Sequence, residues 1–230
     1  MTEAEKQDIM NQFKDIVSNG IAPILKTAGF KKRGNNFHAH TGKVDLCINI
    51  QKDRWGYDSY FNTWEFTINI GVTWNDYTMS LFDKACDFPL ESSCPIRARI
   101  GKFMGKSDYW FVLRPNQDCS QTKDLICTTI KDKVLPILNN IKCLNDTWKY
   151  IAENSSWYER LTKLFHIESG QKVFWTTPIG QYMLCVATGK GKMAKQLMDE
   201  MKQRRANTEL VDKIIERYEK LQNNKSDSNI

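Results

Sequence analysis

The 230-residue sequence lacks most of the features that announce a chemistry. It holds only three histidines, His38, His40 and His166. No serine sits in the strained elbow of a hydrolase nucleophile. The one glycine–lysine run, Gly189-Lys-Gly-Lys192, follows a helical pattern instead of a strand and lacks phosphate-loop spacing, so it reads as a helix-breaking turn. The seven cysteines are odd in number and form no CxxC pair, which speaks against a disulfide framework or a zinc knuckle. Reduced thiols in the cytoplasm are the expectation. No apolar run approaches the roughly 18 residues of a membrane span. The N-terminus opens on a charged helix without the apolar segment of a signal peptide. Excess charge is modest too, at +6 from 33 basic and 27 acidic residues, less than a dedicated nucleic-acid binder usually shows.

What remains is ordinary globular material: 41% hydrophobic residues, 11% aromatics and seven tryptophans, enough for a sizeable core without staples. Thr2 and Glu5 form a capping box. Ile9, Phe13, Ile16, Val17, Ile21, Ile24 and Leu25 then recur at helical spacing, with Gly20 and Pro23 expected to kink the helix near Asn19. Period-two alternation follows. Phe37 to Arg54 reads as a hairpin turning at Thr41-Gly42. Trp64 to Trp74, Cys94 to Phe103 and Tyr109 to Leu113 read as further strands. The connections are too short for helical crossovers, so the sheet is expected to be antiparallel.

From Ser120 the pattern turns helical. A helix to Ile141 should bend at Pro136, and shorter helices are read near Asp146 to Glu153 and Ser156 to Phe165. Thr177-Pro178 opens an apolar helix, and an αα-hairpin follows around Ala206-Asn207. The fold class is therefore α+β: an N-terminal helix, a central antiparallel sheet of four to five strands packed by helices, and an all-helical C-terminal appendage. The expected division is an α+β sheet domain over 1–145, a helical appendage over 146–222 and a disordered tail over 223–230.

Four stretches resemble one known family in order. They are Ile24-Leu-Lys-Thr-Ala-Gly-Phe-Lys-Lys-Arg-Gly-Asn-Asn-Phe37, Ile48-Asn-Ile-Gln-Lys52, Phe66-Thr-Ile-Asn-Ile-Gly71 and Ile96-Arg-Ala-Arg-Ile-Gly101. Together they are similar to the bacterial family called domain of unknown function 4304, over roughly residues 5–140. The resemblance leaves the helical C-terminus outside and brings no activity with it. It implies a setting beside toxin or defence genes.

Alternation sets one candidate binding face. Asn49, Gln51, Glu65, Thr67, Asn69, Arg97 and Arg99 fall opposite the apolar positions. Amides and guanidiniums suit carboxylate, phosphate or peptide backbone. The alternative is a covered or wet face with Arg97 and Glu65 merely paired. His38, His40, Asp45 and Cys47 are able to share one face of the first hairpin, with His38 opposite Asp45 if the turn is Thr41-Gly42. Without a second half-site, no metal is expected. Basic residues cluster at Lys31-Lys32-Arg33 and at Lys190, Lys192, Lys195, Lys202, Arg204 and Arg205.

No catalytic residues, metal or cofactor are assigned. The expected function is a non-catalytic cytoplasmic binding protein that engages a protein or peptide, such as an antagonist or accessory of a toxin or defence system, away from any membrane. The alternatives are a nucleic-acid-associated protein using the basic clusters, or an enzyme with a polar pocket on the sheet face.

Overall fold

The computed structural model describes residues 2–58, 60–106, 108–150, 174–203 and 208–227. The capping box expected at Thr2 is present and starts helix α1, Glu3–Asp15. The kink expected near Asn19 takes the form of a π-helical turn, Ile16–Ile21, before α2, Ala22–Thr27, with Pro23 in its first turn. Gly20 sits where this turn meets a later helix. A Cβ there would lie 3.0 Å from Lys123 Cγ and 3.1 Å from Cys127 Sγ, so a larger residue would have to push these side chains aside.

Seven described strands form one antiparallel sheet: β1 (Lys31–Arg33), β2 (Asn36–Thr41), β3 (Val44–Asp58), β4 (Thr63–Thr73), β5 (Ile96–Arg99), β6 (Phe111–Leu113) and β7 (Trp175–Thr176). The order is β1-β2-β3-β4-β5-β7, with β6 pairing β4 beside β5. The five strands expected from alternation are there, and two short edge strands, β1 and β7, extend the sheet. The strand expected over Cys94 to Phe103 is shorter than its alternation suggested. After Arg99 the chain turns into the helical α4, Ile100–Phe103, with Gly101 packed under Tyr109. A buried Ile100 fits either conformation, so alternation alone overran the strand's end.

One face of the sheet is apolar. Leu46, Ile48 and Ile50 join Phe66, Ile68, Ile70, Val72, Ile96 and Ala98 in the core. Phe13 of α1 meets Trp64 and Phe66 edge-on, at 5.0 and 5.3 Å between centroids. The helical run α5 (Ser120–Thr129), a second π-helical turn (Ile130–Val134) and α6 (Leu135–Leu138) contributes Ile126, Ile130, Val134 and Leu138 to the same core. Pro136 lies in the first turn of α6, directly after the π-helical turn.

Helix α3 (Asn75–Phe82) follows β4, and α7 (Leu144–Tyr150) follows α6. The C-terminal part holds α8 (Pro178–Ala187), capped by Thr177 as expected, α9 (Gly191–Gln203) and α10 (Thr208–Asp227). The two-residue strand β7 precedes these helices and joins the sheet. Phe174, Met183, Leu184 and Tyr218 belong to the same core cluster as the strands. Helix α10 runs to Asp227, past the point where a tail was expected. The expected helix Ser156–Phe165, His166 and the turn at Ala206-Asn207 lie outside the described residues.

Candidate functional site: a polar sheet face divided by a loop

Pairing register places the polar candidates on one face. One row runs Asn36, Asn49, Asn69, Arg99 across four strands, and the next runs Lys31, His38, Cys47, Gly71, Arg97, Trp175 across six. Gln51 pairs Thr67, and Glu65 stands opposite Val112 of β6. All six expected binding residues therefore share a face, but they do not form one site.

The middle of the face is sealed. The segment from Asp83 to Pro95 crosses it, and Cys47 Sγ donates to the Pro89 carbonyl at 3.2 Å. Gly71 is the crossing point, because a Cβ there would lie 2.7 Å from Cys94 Sγ and 3.1 Å from Glu91 Cγ. The amide row is satisfied internally. Asn49 donates to Asn36 at 2.8 Å and Asn69 to Gln51 at 2.7 Å, while Thr67 Oγ1 donates to the Tyr109 carbonyl. Glu65 is two pairs further along β4 and has no part in holding Arg97.

The arginine end is open. Arg97, Arg99, Asn69, Glu91, Lys102, Asp108 and Trp175 line a cleft of about 300 Å³. Arg97 binds Glu91 with both Nε and Nη2, the latter at 2.9 Å, and its guanidinium lies 4.9 Å from the Trp175 ring. Glu91 is only 3% exposed. Arg99 bridges both oxygens of Asp108 at 2.5 and 2.6 Å and lies 5.3 Å from the Trp110 ring. Lys102 has no ion pair among the described residues. Three cations against two carboxylates leave the cleft with one unit of excess positive charge. Each arginine is thus held by a carboxylate and lies over a tryptophan ring, with its remaining N–H groups left to face the cleft.

Glu91, Lys102, Asp108, Trp110 and Trp175 escaped the sequence reading. Glu91 lies six residues before Arg97 and Asp108 nine after Arg99, in stretches without periodicity. The richness in tryptophan was the only available hint.

At the opposite end, past the crossing segment, His38 Nε2 lies 2.7 Å and His40 Nδ1 3.0 Å from the same oxygen of buried Asp45. Their register differs from the expected one. His40 is opposite Asp45 and His38 opposite Cys47, so His38 reaches Asp45 diagonally. Burial alone would raise the Asp45 carboxyl pKa. The two imidazole hydrogen bonds outweigh it and hold the group below the usual carboxylate range. Among the described residues, no group of three or more His, Cys, Asp and Glu is arranged to hold a metal ion. Of the basic clusters, Lys31 to Arg33 form the exposed edge strand, and Lys190 stacks on Trp148 at 5.4 Å. Arg204 and Arg205 lie outside the described residues.

The family model for a domain of unknown function, DUF4304, matches residues 21–140. The chain belongs to the DUF4304 family. No curated protein and no solved structure matches. The DUF4304 segment supplies every charged group of the arginine cleft, whereas its Trp175 wall comes from the part beyond the match. Helix α1 also lies outside the match, although the sequence resemblance began near residue 5.

Proposed function

We propose that this DUF4304 protein is a binding protein that takes a carboxylate-bearing segment of a protein partner into the Arg97–Arg99 cleft. The observation that carries this reading is the pair of guanidiniums at alternate positions of β5, each backed by a tryptophan, beside a lysine without an acid partner. Tryptophan and arginine are the side chains that dominate interface cores. The two ion pairs differ in a useful way. Glu91 is buried and fixes Arg97, while the Asp108 side chain is 54% exposed. An exposed pair is worth about 1 kcal/mol or less, so a partner carboxylate displaces Asp108 at small cost.

The chain's positive charge suits an acidic partner. It argues against a cationic nuclease as the target, and the family setting suggests a component of a toxin or defence system. Seven free cysteines suit a reducing, cytoplasmic location, and no described helix is long and apolar enough to cross a membrane.

The test is affinity capture from the native cell in nuclease-treated and untreated lysates, comparing the wild type with an Arg99→Gln, Lys102→Gln double variant. A protein retained by the wild type and lost by the variant supports the reading. A partner that disappears on nuclease treatment replaces it with nucleic-acid association through the basic clusters.

A further inference from the structure

On the other face of the sheet, where α1 meets the strands, a second cleft of about 510 Å³ opens between Asn11 and Lys14 on the helix and Lys32, Asn35 and Lys52 on the strand side, above Phe13. Pairing fixes the face. Lys32 is opposite Phe37, and Lys52 is opposite Phe66, both of the apolar set. The cleft is thus separated from the arginine site by the sheet itself.

Its charge is one-sided. Three ammonium groups line it and no carboxylate does. Helix α1 carries four carboxylates, and all are engaged elsewhere. Glu3 binds Lys6, and Glu5 closes the capping box. Asp8 accepts from Gln12 and the Asn116 N–H, and Asp15 binds Lys123. Lys14, Lys32 and Lys52 have no ion pair among the described residues. Gathering like charges without a counter-charge is unfavourable for the free protein and favourable only with an anion present.

The lysines are also placed. Lys52 Nζ lies 4.9 Å from the Phe13 ring and 5.3 Å from the Trp64 ring, and Lys32 Nζ lies 5.9 Å from the Phe37 ring. Asn11 accepts a hydrogen bond from Gln7 with its oxygen, which leaves its amide N–H groups to donate into the cleft. The Phe13 and Trp64 rings near Lys52 are buried and offer little open face for a planar ring. Recognition rests on charge and N–H donors, and the volume suits a small molecule.

We propose that this cleft binds a small molecule carrying a chain of two or more phosphates, with Lys14, Lys32 and Lys52 as point-charge partners and Asn11 as a donor. The test is calorimetric titration of the full chain with inorganic tripolyphosphate in 50 mM salt, with orthophosphate and a single-stranded oligonucleotide as comparison ligands. Saturable binding of tripolyphosphate that weakens with salt is expected, together with much weaker binding of orthophosphate. Lys14→Gln combined with Lys32→Gln, both at exposed positions, is expected to weaken it about ten-fold, the loss of two surface-strength charge contacts. Lys52→Gln should do the same. Lys190→Gln with Lys192→Gln should leave binding unchanged. The proposal is overturned if tripolyphosphate does not bind, if the Lys190, Lys192 variant loses binding equally, or if orthophosphate binds as well. Tighter binding of the oligonucleotide overturns the small-molecule assignment in favour of a nucleic-acid backbone.

Discussion

At the scale of single residues, two arginines two positions apart on one strand rest on ion pairs of very different character. Glu91 is buried, so Glu91→Gln removes a charge from a pair that water cannot rescue and leaves Arg97 uncompensated. A loss of about 3 kcal/mol in urea unfolding is expected. Asp108→Asn breaks a pair in open solvent and should change stability by about 1 kcal/mol or less. Equal losses would show that burial is not what separates them. Asp45 gives a pH prediction. Its folded pKa lies below its unfolded one, so its contribution is present above the unfolded value, about 4, and is lost as pH falls through the lower folded value. Asp45→Asn should therefore destabilise the protein at pH 7 by about 1–3 kcal/mol, since two imidazoles lose a charged acceptor. It should also flatten the fall in melting temperature below pH 4. A variant that keeps the wild-type acid slope would remove Asp45 from that account.

At the scale of elements, the short 3₁₀ turn Glu91–Ser93 decides what the polar face offers. It is held where Gly71 leaves room for Glu91 and Cys94, and it presents Glu91 to Arg97. Gly71→Ala inserts a methyl into that contact, 2.7 Å from the Cys94 sulfur. Overpacking of this kind costs about 1–3 kcal/mol. Because strain is relieved most easily by moving the turn, the variant should also raise amide exchange over the wild type more in residues 90–94 than in β3 or β4. Uniform protection would mean that the sheet, and not the turn, gives way. The two helical runs over the apolar face behave alike. Both pass through a π-helical turn near a proline, and both resume as α-helix with the proline in the first turn.

At the scale of the whole molecule, the family segment and the C-terminal part share one core. Tyr218 donates to the Met183 carbonyl at 2.9 Å, Gln222 to Asp76 at 2.9 Å, and Phe103 packs edge-on against Phe174. Strand β7 completes the β5 edge. A fragment of residues 1–150 should therefore expose Trp74 and Phe103 and lose a strand partner. We expect it to bind a hydrophobic dye and to lose the near-ultraviolet dichroism of the full chain, with much of its secondary structure kept. A fragment that unfolds in a sharp cooperative transition would establish an independent N-terminal domain.

Local order was legible in the sequence because it depends on neighbours in the chain. Alternation sent Asn49, Gln51, Glu65, Asn69, Arg97 and Arg99 to one side of the sheet, and the caps at Thr2 and Thr177 marked where helices begin. Whether that side was open, and which acids met the arginines, depended on Glu91, Asp108 and Trp175. These arrive from separate loops and from a distant edge strand, so no spacing rule connects them. The unbalanced lysine cleft has the same origin. Lys14 lies on a helix, and Lys32 and Lys52 on two strands, and only packing brought the three charges together. Backbone periodicity is a property of the chain itself, whereas charge pairing and enclosure depend on which surfaces meet once it has folded.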